Sequence, residues 1–82
     1  MADGKSPGIV VTMKLSTRNQ LAGTVTEVAH GSVMSTVKVE LKGGDVITAS
    51  ITLEAAKELE LAAGSPVIVL VKSTEVMLAV ED

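Results

Sequence analysis

The sequence predicts an all-β fold, a five-stranded antiparallel barrel with one short helix between its third and fourth strands. Three observations predict it. Apolar and polar residues alternate with a period of two in several runs, the pattern of strands buried on one face. Short connections containing Gly or Ser separate those runs. One stretch, Leu53 to Leu59, departs from the alternation and spaces its apolar residues as a helix does.

Met1 to Pro7 is polar and contains Gly and Pro, the composition of a mobile tail; residues 1–12 are read as a partly ordered N-terminal tail and 13–82 as the domain. Ile9 to Leu15 has strand composition, with Ile9, Val11, Met13 and Leu15 on one face. It can extend the sheet or pair with another subunit. The first strand of the compact domain is expected over Gln20–Ala29, with Leu21, Gly23 and Val25 on one face and Thr24 and Thr26 on the other. Gly23 marks an expected bend or bulge. His30-Gly31-Ser32 is a tight connection. The second strand, Val33–Leu41, turns Val33, Val37, Val39 and Leu41 inward and Met34, Thr36, Lys38 and Glu40 outward. Gly43-Gly44-Asp45 is a hairpin turn whose glycines can take positive φ. The third strand, Val46–Ile51, points Ile47, Ala49 and Ile51 inward.

Thr52 is placed to cap the helix N-terminus, with Glu54 in the first turn favourable to the helix dipole. Leu53, Ala56 and Leu59 form its apolar stripe, and Ala62-Ala63-Gly64-Ser65-Pro66 is a Gly/Pro stop. Val67–Lys72 is continuously apolar up to its last residue and is expected to be buried on both faces. Ser73-Thr74 turns the chain, and Glu75–Val80 is expected as the fifth strand, with Val76, Leu78 and Val80 on one side. One copy of this order, with no internal repeat, fits a barrel of the OB type.

Eighty-two residues allow one domain with a small core, and a monomer of that size is marginal, which favours oligomerisation. The chain has no cysteine, hence no disulfide and no thiolate metal site. Its longest apolar run, Pro66–Val71, is too short to span a bilayer, and no apolar signal-peptide core opens it; the expected location is cytoplasmic. A net charge of −3 and the absence of aromatic residues argue against nucleic acid, which needs clustered cations or stacking platforms. No nucleophile–base pair, paired catalytic carboxylates or phosphate loop is present, so an enzyme is not expected. His30 is the single histidine and is read as a turn residue, not a metal ligand; Met34 and Met77 are read as packing or interface residues.

Ser16-Thr17-Arg18-Asn19-Gln20 places the chain's single arginine among small hydrogen-bonding residues just before an apolar strand. A guanidinium beside hydroxyls and turn amides suits an oxyanion. Four segments in order, Ser16-Thr17-Arg18-Asn19-Gln20-Leu21-x-Gly23-Thr24-Val25, His30-Gly31-Ser32-Val33-Met34, Ala49-Ser50-Ile51-Thr52 and Val71-Lys72-Ser73-Thr74-Glu75-Val76, together resemble the molbindins. These are small cytoplasmic molybdate-binding proteins made of a single Mop domain, which also occurs in molybdate-responsive regulators and transporter ATPases. The resemblance covers Met13 to Val80; the residues before Met13 depart from the minimal pattern.

The resemblance implies a hexamer, a trimer of dimers, holding molybdate or tungstate at subunit interfaces, with no organic cofactor, for storage, buffering or delivery. The alternative is an assembly module or a regulatory domain of a transporter or transcription regulator. In one class of site it implies that Ser16 and Arg18 of one subunit, with Asn19 in support, meet Lys72, Ser73 and Thr52 of a neighbouring subunit. In a second class, near three-fold axes, it implies the main-chain amides of His30, Gly31, Ser32 and Val33. The chemistry of the residues agrees. Molybdate offers acceptors only, so its receptor must offer donors: Arg18 and Lys72 bring charge, and Ser and Thr hydroxyls adapt by rotation. Hydrogen bonds to a charged group contribute roughly 1.5–3 kcal/mol each.

Overall fold

The computed structural model describes residues 16–81. The expected tail and the strand-like run Ile9–Leu15 lie outside the described residues. Four strands and one helix follow in order: β1 Asn19–His30, β2 Met34–Leu41, β3 Val46–Thr52, α1 Leu53–Glu58 and β4 Pro66–Val71, then a 3₁₀ turn over Ser73–Glu75. The strands form one sheet in the order β3-β2-β1-β4. The described chain forms two compact units, Leu21–Val69 and a smaller one built from residues 16–20 and 70–81.

In the larger unit, β2 pairs antiparallel with both β1 and β3. Its alternation is as read: Ser35, Val37 and Val39 are buried while Thr36, Lys38 and Glu40 are exposed. Val33, expected inward, lies before the strand begins and is 69% exposed. Val25, Val37 and Val39 form the core, with Val28, Leu41, Ala49, Ile51, Leu61, Val67 and Val69 packed against it. The bulge expected at Gly23 falls three residues later. Val25 pairs with Val39 but Glu27 pairs with Lys38, so Thr26 is the extra residue. Without it a period of two would put Val25 and Val28 on opposite faces; with it both reach the core. Gly23 instead answers to close packing, since a Cβ there would lie 2.6 Å from the Val39 side chain and 2.9 Å from the Glu40 carbonyl oxygen.

The Thr52 hydroxyl caps α1 as expected, accepting from the Ala55 N–H at 3.0 Å. The helix stops earlier than the Gly/Pro signal suggested. Glu60 takes φ 54°, and the Glu60 and Leu61 amides donate to the Lys57 and Ala56 carbonyls, closing the last turn in the manner usually reserved for glycine. Gly64 (φ 96°) serves a separate purpose: its N–H donates to the Val25 carbonyl at 2.7 Å, tying the loop before β4 to β1. In the β2–β3 hairpin only Gly44, of the two glycines, has positive φ (99°).

Two expectations near the C-terminus are corrected. β4 is not buried on both faces; it is the edge of the sheet, with Val67, Ile68 and Val69 half-buried and Leu70 exposed. The fifth strand over Glu75–Val80 is absent, so the described sheet has four strands, not five. Glu75 ends the 3₁₀ turn, and Val76–Glu81 has no regular structure. Alternation supplies the side-chain pattern of a strand but not the neighbouring backbone that its N–H and C=O groups require. Met77, Leu78 and Val80 are all more than 90% exposed. Among the described residues no helix is long and apolar enough to cross a membrane.

Candidate functional site

The smaller unit contains a cleft of about 210 Å³ lined by Ser16, Thr17, Arg18, Lys72, Ser73 and Thr74. Two segments more than fifty positions apart in sequence supply it, one leading into β1 and the other leaving β4. Among the described residues its lining has two cations and four hydroxyls and no carboxylate. The 3₁₀ turn bonds run from the Glu75 N–H to the Lys72 carbonyl and from the Val76 N–H to the Ser73 carbonyl. The Ser73 and Thr74 amides therefore precede the first bond of the turn, where N–H groups lack intrahelical partners. Lys72 occupies the cap position of the turn with extended backbone.

Two side-chain amides brace this place. Gln20 Nε2 donates to the Thr17 carbonyl at 2.8 Å and holds the first segment in its bend. Asn19 Nδ2 donates to the Val71 carbonyl at 3.2 Å, joining the end of one segment to the start of the other. Asn19 is not among the lining residues; it stands behind them.

The larger unit has a different hollow, about 520 Å³, lined by Ser32, Val33, Thr52, Leu53, Glu54 and Lys57. Thr52 lies here, with Ser32 and Val33, and is not among the residues lining the cationic cleft. The Leu53 N–H donates to the Val33 carbonyl at 2.8 Å, fixing the start of α1 against the β1–β2 connection. His30 and Gly31 do not line the hollow. His30 Nδ1 is 2.7 Å from the hydroxyl of Ser35, a residue only 1% exposed, and the Gly31 N–H donates to the Met34 carbonyl at 2.7 Å. No group of three or more His, Cys, Asp or Glu among the described residues is arranged to hold a metal ion.

The sequence profile of the TOBE domain matches residues 15–78. The chain belongs to the TOBE-domain family. This TOBE domain is 42% identical over 69 residues to a probable molybdenum-pterin-binding protein of Haemophilus influenzae, covering 84% of the present chain and 100% of that one. It superposes on the solved structure of MopII from Clostridium pasteurianum with a TM-score of 0.78 at 39% identity, covering 82% of this chain and 100% of that one. It superposes equally, with a TM-score of 0.78 at 39% identity, on a molybdate binding protein from Sporomusa ovata, covering 82% of this chain and 98% of that one. These relatives bear out the resemblance to the molbindins.

Four residues nominated from the TOBE domain's sequence line one place: Ser16, Arg18, Lys72 and Ser73 lie together. Thr17 and Thr74 line it too and were not nominated. Their signal was present, since each is a hydroxyl inside one of the two motif segments. The bracing by Gln20 and Asn19 left no such signal, because an amide's partner cannot be read from its own position.

Proposed function

We propose that this chain binds molybdate in the cleft of Ser16, Thr17, Arg18, Lys72, Ser73 and Thr74, with tungstate as an equivalent ligand. One observation carries the reading: among the described residues, every lining side chain can donate a hydrogen bond and none is negatively charged. A tetrahedral dianion presents four oxygens and no proton, so it loses nothing in such a lining. Arg18 supplies a planar fork and Lys72 a movable point charge. The name of the Sporomusa relative, a molybdate binding protein, supports the same cargo, and that of the Haemophilus relative, a probable molybdenum-pterin-binding protein, supports a molybdenum-containing one.

The binding species is proposed to be an oligomer, a hexamer arranged as a trimer of dimers. The apolar surface of Met77, Leu78 and Val80, more than 90% exposed in the single chain, supports association. Thr52, Ser32 and Val33, with His30 and Gly31 shaping the hairpin beside them, are proposed to meet anions only in the assembled protein.

Native mass spectrometry with and without molybdate tests both statements. The expected result is a species at a multiple of 8.4 kDa carrying bound oxyanions. A bare 8.4 kDa monomer in both conditions would overturn the reading. Competition calorimetry against sulfate sharpens it: equal affinities would make the cleft a generic anion site.

A further inference from the structure

We infer that Asn19 is a positioning residue, a clip that sets the separation of Arg18 and Lys72 and thereby the size of oxyanion the cleft prefers. The inference rests on the reading of that cleft as the molybdate site. Asn19 directly follows Arg18, and Val71 directly precedes Lys72. The bond from Asn19 Nδ2 to the Val71 carbonyl, 3.2 Å long, thus fastens the two charged arms at their roots. Among the described residues it is the side-chain hydrogen bond that joins the two arms; the Gln20–Thr17 bond stays within one of them. Asn19 is half-buried and outside the lining, so its amide faces protein backbone.

The physical consequence concerns selectivity. Two cations left to themselves repel, and an anion pulls them together by an amount that depends on its radius. A fixed separation favours the anion that spans it. A free separation lets the arms close onto a smaller dianion, so molybdate loses its advantage over sulfate. Asn19 therefore acts on the ratio of affinities, whereas a residue that simply donated to the anion would act on both dianions alike.

The test compares wild type, Asn19→Ala and Asn19→Gln by calorimetry with molybdate and with sulfate, and by amide hydrogen exchange without anion. Asn19→Ala is expected to weaken molybdate roughly three- to tenfold, the loss of one hydrogen bond. Sulfate should weaken less, so the preference narrows. In the anion-free protein, exchange at the Ser73 and Thr74 amides should quicken, because the clip is gone before any ligand arrives. Asn19→Gln keeps the amide on a longer arm and should recover part of the preference. Equal weakening of both anions with unaltered anion-free exchange would make Asn19 a ligand and overturn the inference. So would an Asn19→Ala protein identical to wild type in all three measurements. Wild type that binds no molybdate would overturn the reading of the cleft instead, while the exchange arm would still decide whether the clip exists.

Discussion

The cleft at Arg18 and Lys72 and the hollow at the start of α1 differ in the reverse order of their sizes. The hollow is the larger, about 520 Å³ against about 210 Å³, yet its lining mixes Leu53 and Val33 with the opposed charges of Glu54 and Lys57. Among the described residues the cleft has cations and hydroxyls alone. The hollow also spends donors internally: the Leu53 N–H holds the Val33 carbonyl and the Gly31 N–H closes the hairpin. An anion must find donors that are both uncommitted and free of competing negative charge. By that measure the smaller place is the better receptor in the single chain. Volume reports only that something fits; the state of the donors decides what.

Substitutions can break or sharpen this contrast. Arg18→Ala should have the largest effect, a fall in molybdate affinity of roughly tenfold to a hundredfold from the loss of a charged donor. Arg18 is exposed, so the anion-free melting point should hardly move. Arg18→Lys should regain only part of the affinity, because the charge remains but the fork does not. Calorimetry decides it, and unchanged binding would remove the cleft as a site.

Thr52→Ala should do the opposite, lowering stability by about 1 kcal/mol through loss of the helix cap while leaving affinity at the cleft as it was. Denaturant titration and calorimetry on the same sample report both. A drop in molybdate affinity at constant stability would mean that the two places act as one site in the assembled protein. The smallest effect is expected at the other end of the helix. Glu60→Gly should stabilise by about 0.5–1 kcal/mol, because φ 54° costs a glutamate what it does not cost glycine. Binding at the cleft should not respond to it, and a thermal melt with and without molybdate would show whether the two responses are separate.

The elements whose pattern is local were legible. β2 and β3 show the alternation read from Val37, Val39, Ile47, Ala49 and Ile51, and Thr52 caps α1 from the position its hydroxyl suggested. The four nominated residues that meet in the cleft were legible for another reason. They sit at the two ends of the paired strands β1 and β4, in segments whose donor chemistry is visible without coordinates. The misreadings share a cause. The bulge at Thr26, the half-exposed edge strand β4 and the missing fifth strand each depend on which backbone lies alongside, and that is not written in any one segment.

By itself, then, the sequence determined the all-β class, the place and cap of the helix, and the donor chemistry of the two segments that line the cleft. These follow from side-chain period, capping and charge, which act over a few residues. Only the tertiary structure decided that Val25 and Val28 share a face, that Asn19 reaches Val71, and that Val76–Val80 finds no strand to pair with among the described residues. Those are matters of register and partner, and a hydrogen bond between residues 52 positions apart exists only once the intervening chain has folded.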